Sequence, residues 1–358
     1  MRGRKLGALV LALVMGLSGC GWMDGSYVSV TPHQVGLGQS GEETALAVSG
    51  YTELRSALVS MIDSGSTREL FSLAEYPREE ALADMEQAVA YAMGTYPIGA
   101  YAVEDIAFNF GTGLGAQAMS VVITYRHSRE EIERIQTVRG TDGAEAAVAD
   151  ALNECAGVLV LQITGYQDAD LAALALEYAR QNPDRVMEVP AVQVQVWPDR
   201  GSTRVAELTF TYQTDRQTLR AMREEVQPVF SSAALYVSGQ AGERVKYGQL
   251  YTFLTERFEY TIETSVTPAH SLLCRGVGDS QAFARVYAAM CSRIGLEVRT
   301  VRGTREGEAR WWNLVRIDGM WYHVDLLAPE GFRTLTDAEM TGYDWDREAY
   351  PAAAGTDA

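Results

Sequence analysis

Gly276-Val277-Gly278-Asp279-Ser280, Arg310-Trp311-Trp312-Asn313 and Trp321-Tyr322-His323-Val324-Asp325 are the three segments on which the reading of this 358-residue chain turns. The first opens a helix over residues 280–294. Ala282, Val286, Met290 and Ile294 recur there at helical spacing, and Gly295 supplies a stop. Cys291 falls in step with Val286, Tyr287 and Met290 and reads as a small core residue. The other two segments lie on strands. Residues 297–303, 309–316 and 320–326 form three short runs, and Asp318-Gly319 marks a tight turn between the last two. Upstream, residues 243–258 predict a helix with Leu250, Phe253, Leu254 and Phe258 inward.

These segments resemble the core of the transglutaminase-like family, a papain-type cysteine fold. That family carries Gly-x-Gly-Val-Cys opening a helix, His-Ala-Trp-Asn on a strand and Trp-Tyr-His-Val-Asp on the next. The third segment is intact here. Counting back from Gly295 places Ser280 where the resemblance expects the cysteine. Arg310 stands where it expects the histidine, and Asp325 is the acid. The resemblance runs from Glu243 to about Tyr350. It implies a central helix packed on an antiparallel sheet.

In an active member, the helix dipole and an imidazolium hold the cysteine as a thiolate. The histidine takes the proton and the acid orients the histidine. Ser280 can act as a nucleophile only with a base beside it; otherwise it reads as a helix N-cap. Arg310 cannot be that base, because guanidinium has no free lone pair and stays charged. An ion pair with Asp325 across the hairpin is its expected role, and a solvent-facing arginine is the alternative. His323 shares a strand face with Asp325, so it could supply a base or simply pack and hydrogen-bond. Asp279 adjoins Ser280, but neighbouring residues at a helix start diverge. Trp311, Trp312, Trp321 and Tyr322 form an aromatic cluster that reads either as core or as the wall of a cleft. Alternation puts Arg310 and Trp312 on one face and Trp311 on the other. Ser280, Arg310 and Asp325 are thus degenerate triad positions, with Trp311, Trp312 and His323 as candidate binding residues.

Residues 51–225 carry a faint internal repeat. Ile123-Thr124-Tyr125-Arg126 with Arg129-Glu130-Glu131-Ile132 echoes Phe210-Thr211-Tyr212-Gln213 with Arg216-Gln217-Thr218-Leu219, at an offset of 87 residues. Met119, Val121, Ile123 and Tyr125 alternate as Ala206, Leu208, Phe210 and Tyr212 do. Before each strand lies another, Ile106-Phe108-Phe110 or Val192-Val194-Val196. Before those come helices with Leu82, Met85, Val89 and Met93, or Leu171, Leu174 and Tyr178, on the apolar side. The runs 69–73 and 157–163 read as buried strands. Each unit is approximately α-β-α-β-β-α, and chance similarity between two α/β segments is the alternative. Gly111-Thr112-Gly113-Leu114-Gly115 has no helix directly after it and no Lys-Ser/Thr pair, so it reads as a hairpin connection and not as a phosphate loop.

The chain opens with Arg2, Arg4 and Lys5, an apolar run over residues 6–17, and Leu17-Ser18-Gly19-Cys20. That order resembles a bacterial lipoprotein signal, with Cys20 lipidated; a plain secretory signal or an uncleaved anchor is the alternative. A two-chain lipid would give stable anchoring. The predicted location is extracytoplasmic, on the cell membrane. The formal net charge is −17, and losing the three basic residues before Cys20 makes the mature chain more acidic still. Such a balance argues against nucleic acid as a partner. Cys155, Cys274 and Cys291 have no close spacing, and His33, His127, His270 and His323 are scattered, so no metal site or cofactor is predicted.

The chain therefore reads as α+β: two tandem α/β repeat units followed by a transglutaminase-like domain. The expected order is a signal peptide at residues 1–19, a tether at 20–48, units at 49–140 and 141–230, the third domain at 231–350 and a disordered tail at 351–358. The expected role is non-catalytic, binding a peptide, a cell-wall fragment or a partner protein. A divergent acyl-transfer or hydrolytic enzyme using Ser280 and a structural envelope component are the alternatives.

Overall fold

The computed structural model describes residues 45–73, 76–113 and 116–353. Lipidation at Cys20, the signal segment and the end of the tail lie outside the described residues.

Period-two alternation builds two four-stranded sheets. The first comes from β1 (Leu46–Ala47), α1 (Tyr51–Ser64), β2 (Arg68–Ser72), α2 (Arg78–Gly94), α3 (Pro97–Ala102), β3 (Val103–Gly113), β4 (Ala116–Tyr125) and α4 (Arg129–Glu133). Its strand order is β1-β2-β4-β3, with only β1 and β2 parallel. The second comes from β5 (Gln136–Arg139), α5 (Gly140–Asn153), β6 (Val158–Thr164), α6 (Leu171–Gln181), β7 (Ala191–Trp197) and β8 (Thr203–Thr211). Its order is β5-β6-β8-β7, again with only the first pair parallel. Gly111 and Gly113 lie at the end of β3, which pairs antiparallel with β4.

Three details depart from the sequence reading. Each unit begins with a short parallel strand, so β1 falls inside the expected tether, and β5 shifts the unit boundary from residue 140 to before Gln136. Two- and four-residue edge strands are too short to show a period. Helix α2 packs through Ala81, Met85, Ala88 and Ala92, while Leu82 is exposed. Small side chains let α2 approach α1 closely, so the alanine stripe wins over the larger leucine.

The boundary expected near residue 231 falls inside a single helix, α7 (Arg216–Tyr236). Its Leu219, Val226, Phe230 and Ala233 enter a core shared with Cys155 and Met187 of the second unit. The same core takes in α8 (Glu243–Thr255), α9 (Pro268–Arg275) and α10 (Ser280–Arg293). Between these helices β9 (Glu259–Tyr260) pairs in parallel with β10 (Val277–Gly278). Helix α10 is buried on nearly every side, from Ala282 through Cys291, because α7, α8, α9 and a sheet surround it. Each large apolar side chain buried there, such as Phe283 or Val286, contributes roughly 1.5–3 kcal/mol.

That sheet is antiparallel, in the order β13-β12-β11-β14, from β11 (Val298–Arg305), β12 (Glu308–Ile317), β13 (Met320–Val324) and β14 (Tyr343–Trp345). Asp318 and Gly319 take left-handed φ values of 50° and 86°, as a two-residue hairpin turn requires. The fold is α+β with a central helix against an antiparallel sheet. Val315 and Val324 face the helices, whereas Val301, Trp312 and Leu314 face a second core closed by Met340, Trp345 and Ala353. The start of the expected tail is therefore part of the fold. Ala353 is fully buried, and its N–H donates to Asp337 Oδ2 at 3.1 Å.

Candidate functional site

Helix α10 starts one residue earlier than an N-cap at Ser280 requires, so Ser280 is not the cap. Asp279 is the cap: its Oδ1 accepts from the Ala282 N–H at 2.8 Å, which also occupies the carboxylate next to Ser280. Ser280 is the first helical residue and is nearly buried. Its Oγ accepts from the Trp311 N–H at 3.3 Å, which ties the helix start to β12. Asn313 makes a second tie, donating from Nδ2 to the Ala284 carbonyl at 2.9 Å. Among the described residues, no hydrogen bond joins Ser280 to an imidazole or a carboxylate.

Arg310 and Asp325 face each other across the β12–β13 hairpin. Arg310 Nε donates to Oδ2 at 3.0 Å, and Nη2 donates to Oδ1 at 3.1 Å and to Oδ2 at 2.9 Å. The Tyr343 hydroxyl donates to Oδ2 at 2.7 Å and the Leu327 N–H to Oδ1 at 2.9 Å. Arg305 stands 3.9 Å from Oδ2. Every face of the carboxylate is taken, and the Asp325 side chain is only 3% exposed. Burial, then the hydrogen bond to Asp325, raises the Tyr343 hydroxyl far above its ordinary range, so it stays a donor. A guanidinium holds the acid as a bidentate partner and offers no lone pair for a proton.

His323 is spent elsewhere. It is fully buried, its Nδ1 accepts from Trp312 Nε1–H at 2.9 Å, and its Nε2 lies 2.8 Å from Asp337 Oδ1. Because indole is only a donor, Nδ1 carries the lone pair and Nε2 the proton. Burial lowers the affinity of the ring for a second proton despite Asp337. Trp312 is also fully buried, with Tyr343 and Trp345 edge-on against its ring. Trp312 and His323 therefore cannot meet a ligand, which corrects both as binding candidates. Their strand face looked open in sequence because Asp337, Tyr343, Trp345 and Ala353 close over it from later in the chain. Gly303 makes room: a Cβ there would stand 2.2 Å from the Asp344 carbonyl oxygen and 2.6 Å from the Trp312 ring. Trp311, on the opposite face, stays half-buried between the guanidiniums of Arg285 and Arg302, at 5.1 and 5.9 Å. Burial, with the nearby Arg180, lowers Arg285 to about 10, so it remains a cation at neutral pH.

Among the described residues the cysteines are free, with Cys155 and Cys291 buried and Cys274 exposed. Burial pushes the Cys291 thiol well up, and burial with Glu225 pushes up that of Cys274, the reverse of an activated thiol. The histidines are less scattered than their spacing suggests. Glu225, His270 and Cys274 bring a carboxylate, an imidazole and a thiol within 4.8 Å of one another. His270 and Cys274 are one helical turn apart, a signal visible in sequence; Glu225 joins them only through the packing of α7 on α9.

Residues 232–326 match the sequence model of the family described as the transglutaminase-like superfamily, and the chain carries a transglutaminase-like domain there. That span contains Ser280, Arg310 and Asp325. No curated protein matches the chain. Among solved structures, a TGase shares 12% identity at a TM-score of 0.29, covering 55% of this chain and 56% of its own. A provisionally assigned cysteine protease from Cytophaga hutchinsonii shares 13% at 0.26, covering 43% and 70%. A provisionally assigned protease from Parabacteroides distasonis shares 9% at 0.24, covering 60% and 47%. The chain thus spans little more than half of the TGase chain, and overlaps this loose say nothing about chemistry.

Proposed function

We propose that the protein is a lipid-anchored, non-catalytic member of the transglutaminase-like fold, which binds a carboxylate-bearing peptide or cell-wall fragment at the cell surface. The observation that carries the non-catalytic reading is the bidentate, buried Arg310–Asp325 pair. It fills the place of the base with a group that cannot accept a proton, while Ser280 has only a backbone N–H for company. The former site acts as a latch between α10 and the hairpin.

Binding falls to a polar cleft of about 590 Å³ where α5, α6, α7 and α10 meet, within the usual size range of ligand sites. Arg185, Arg223 and Arg293 line it against Asp184 and Glu224. An excess of guanidinium in an acidic protein suits a ligand with free carboxylates. The two four-stranded units are copies of one ancestral unit in this reading, supported by their common strand order. Superposing residues 46–133 on 136–236 should align strands and flanking helices in sequence order; helices on opposite sheet faces would refute the duplication.

The test pairs two assays on the full chain. Wild type should bind a soluble muropeptide or an acidic peptide by calorimetry, lose that binding on Arg185→Glu with Arg293→Glu, and turn over neither. Undiminished binding in the double variant overturns the cleft, and Ser280-dependent turnover overturns the non-catalytic reading. Mass spectrometry of the native N-terminal peptide should find diacylglyceryl on Cys20; an unmodified Cys20 overturns the anchor.

A further inference from the structure

The geometry points to a divalent metal site, of the zinc or cobalt type, held by Glu225 of α7 with His270 and Cys274 of α9. It stands apart from the Ser280 latch and from the arginine-lined cleft, and it rests on neither. Three observations carry it. First, the donor atoms are already gathered, all within 4.8 Å of one another, with His270 Nε2 2.8 Å from Glu225 Oε2. With bonds of about 2.0–2.3 Å, donors around a tetrahedral ion stand about 3.3–3.7 Å apart. A small outward swing of the Glu225 side chain, which is 60% exposed, opens the gap between oxygen and nitrogen. Second, the donors sit on rigid elements. His270 and Cys274 occupy one face of α9 at i and i+4, and α9 packs directly on α7. Third, the ring has one polar outlet. His270 is nearly buried and its Nδ1 has no partner, so its polar compensation falls on the Nε2 corner that faces the other two donors.

A mixed set of thiolate, imidazole and carboxylate selects zinc or cobalt over magnesium or calcium, which take oxygen. Three protein donors leave the fourth position to water. On binding, the thiol proton leaves to solvent, the imidazole stays neutral with its single proton on Nδ1, and Sγ and Nε2 bond to the ion. The ion would clip α7, which runs from the second sheet into the third core, to α9, five residues ahead of Ser280. If no ion binds, His270 and Glu225 are an ordinary hydrogen-bonded pair with a thiol beside them.

The experiment uses tag-free, chelator-treated full-length protein titrated with cobalt(II), then with zinc(II). Wild type should take up one equivalent of cobalt, with tetrahedral d–d absorption and a thiolate-to-cobalt charge-transfer band that zinc abolishes. Zinc should also protect Cys274 from iodoacetamide in a peptide map. Cys274→Ser should remove the charge-transfer band, and Glu225→Gln should weaken uptake by at least about tenfold. Both side chains are exposed, so these variants keep their fold even if His270→Gln does not. No band in the wild type, or a band that survives Cys274→Ser, overturns the site.

Discussion

Asp325 and Asp337 lie beside the same strand, β13, and hold different partners. Asp325 grips a guanidinium at the hairpin mouth; Asp337 orients the imidazole of His323, which is sealed behind Trp312. A base oriented by an acid is thus present, but its lone pair is taken by an indole N–H in a core. A third carboxylate, Glu225, meets both an imidazole and a thiol, on two helices away from the hairpin. At the start of α10 the ingredients of cysteine-nucleophile chemistry do not meet: Ser280 stands there without a thiol, Asp325 holds a guanidinium and the His323 imidazole is sealed in a core. Chemistry of this kind needs nucleophile, base and orienting acid within hydrogen-bond reach of one another.

The largest expected effect comes from breaking the first pair. Arg310→Ala leaves the buried Asp325 with only the more distant Arg305 as a cation, and a urea melt should show a loss of about 3 kcal/mol, the low end for a broken buried pair. A loss within experimental error would mean that the carboxylate is satisfied without Arg310. Next comes restoring the missing chemistry. Ser280→Cys with Arg310→His should be alkylated by iodoacetamide near neutral pH about tenfold faster than Ser280→Cys alone, the thiolate gain from lowering a thiol pKa by about one unit. Equal rates would show that the scaffold no longer brings the two positions together.

The second pair is tested by Trp312→Phe. Removing the indole N–H leaves the buried His323 Nδ1 without a donor and should cost about 1–3 kcal/mol, a range whose lower half is expected here. The same imidazole sets a pH dependence. Its folded-state proton affinity is lowered by burial, while the unfolded chain takes up the proton near pH 6.5. As pH falls below about 6.5, the unfolded state binds more protons, so stability declines until the folded ring also titrates. Thermal melts between pH 7.5 and about 5 should show this slope, and His323→Gln should flatten it; an unchanged slope would assign it to other groups. The smallest effect belongs to Cys274→Ser without metal, within about 0.5 kcal/mol of wild type, as for other exposed positions.

Much of the third domain was legible because its signals are local. Gly295 stops the central helix, Asp318-Gly319 closes the hairpin, and the alternation in 309–316 separates Trp311 from Trp312. That Arg310 cannot serve as a base was legible for the same reason: a guanidinium excludes proton transfer. What stayed hidden depends on distant chain. Whether Trp312 lines a cleft or fills a core is decided by residues 337–353, which no period announces. The saturation of Asp325 by Tyr343 arrives from that same stretch. Glu225 is 45 residues from His270, and only the crossing of α7 over α9 joins them. The alanine face of α2 was missed because size was read where closeness of approach decides.

The reading proposed for the transglutaminase-like domain is a helix packed on a sheet with no catalytic chemistry at Ser280. The most direct measurement incubates wild type and Ser280→Ala side by side with a glutamine peptide and a primary amine, and with an ester substrate. Ammonia release, amine incorporation and hydrolysis are followed together. Indistinguishable, background-level traces for the two proteins are the predicted result. Turnover by wild type that Ser280→Ala abolishes would contradict the account and make Ser280 a working nucleophile.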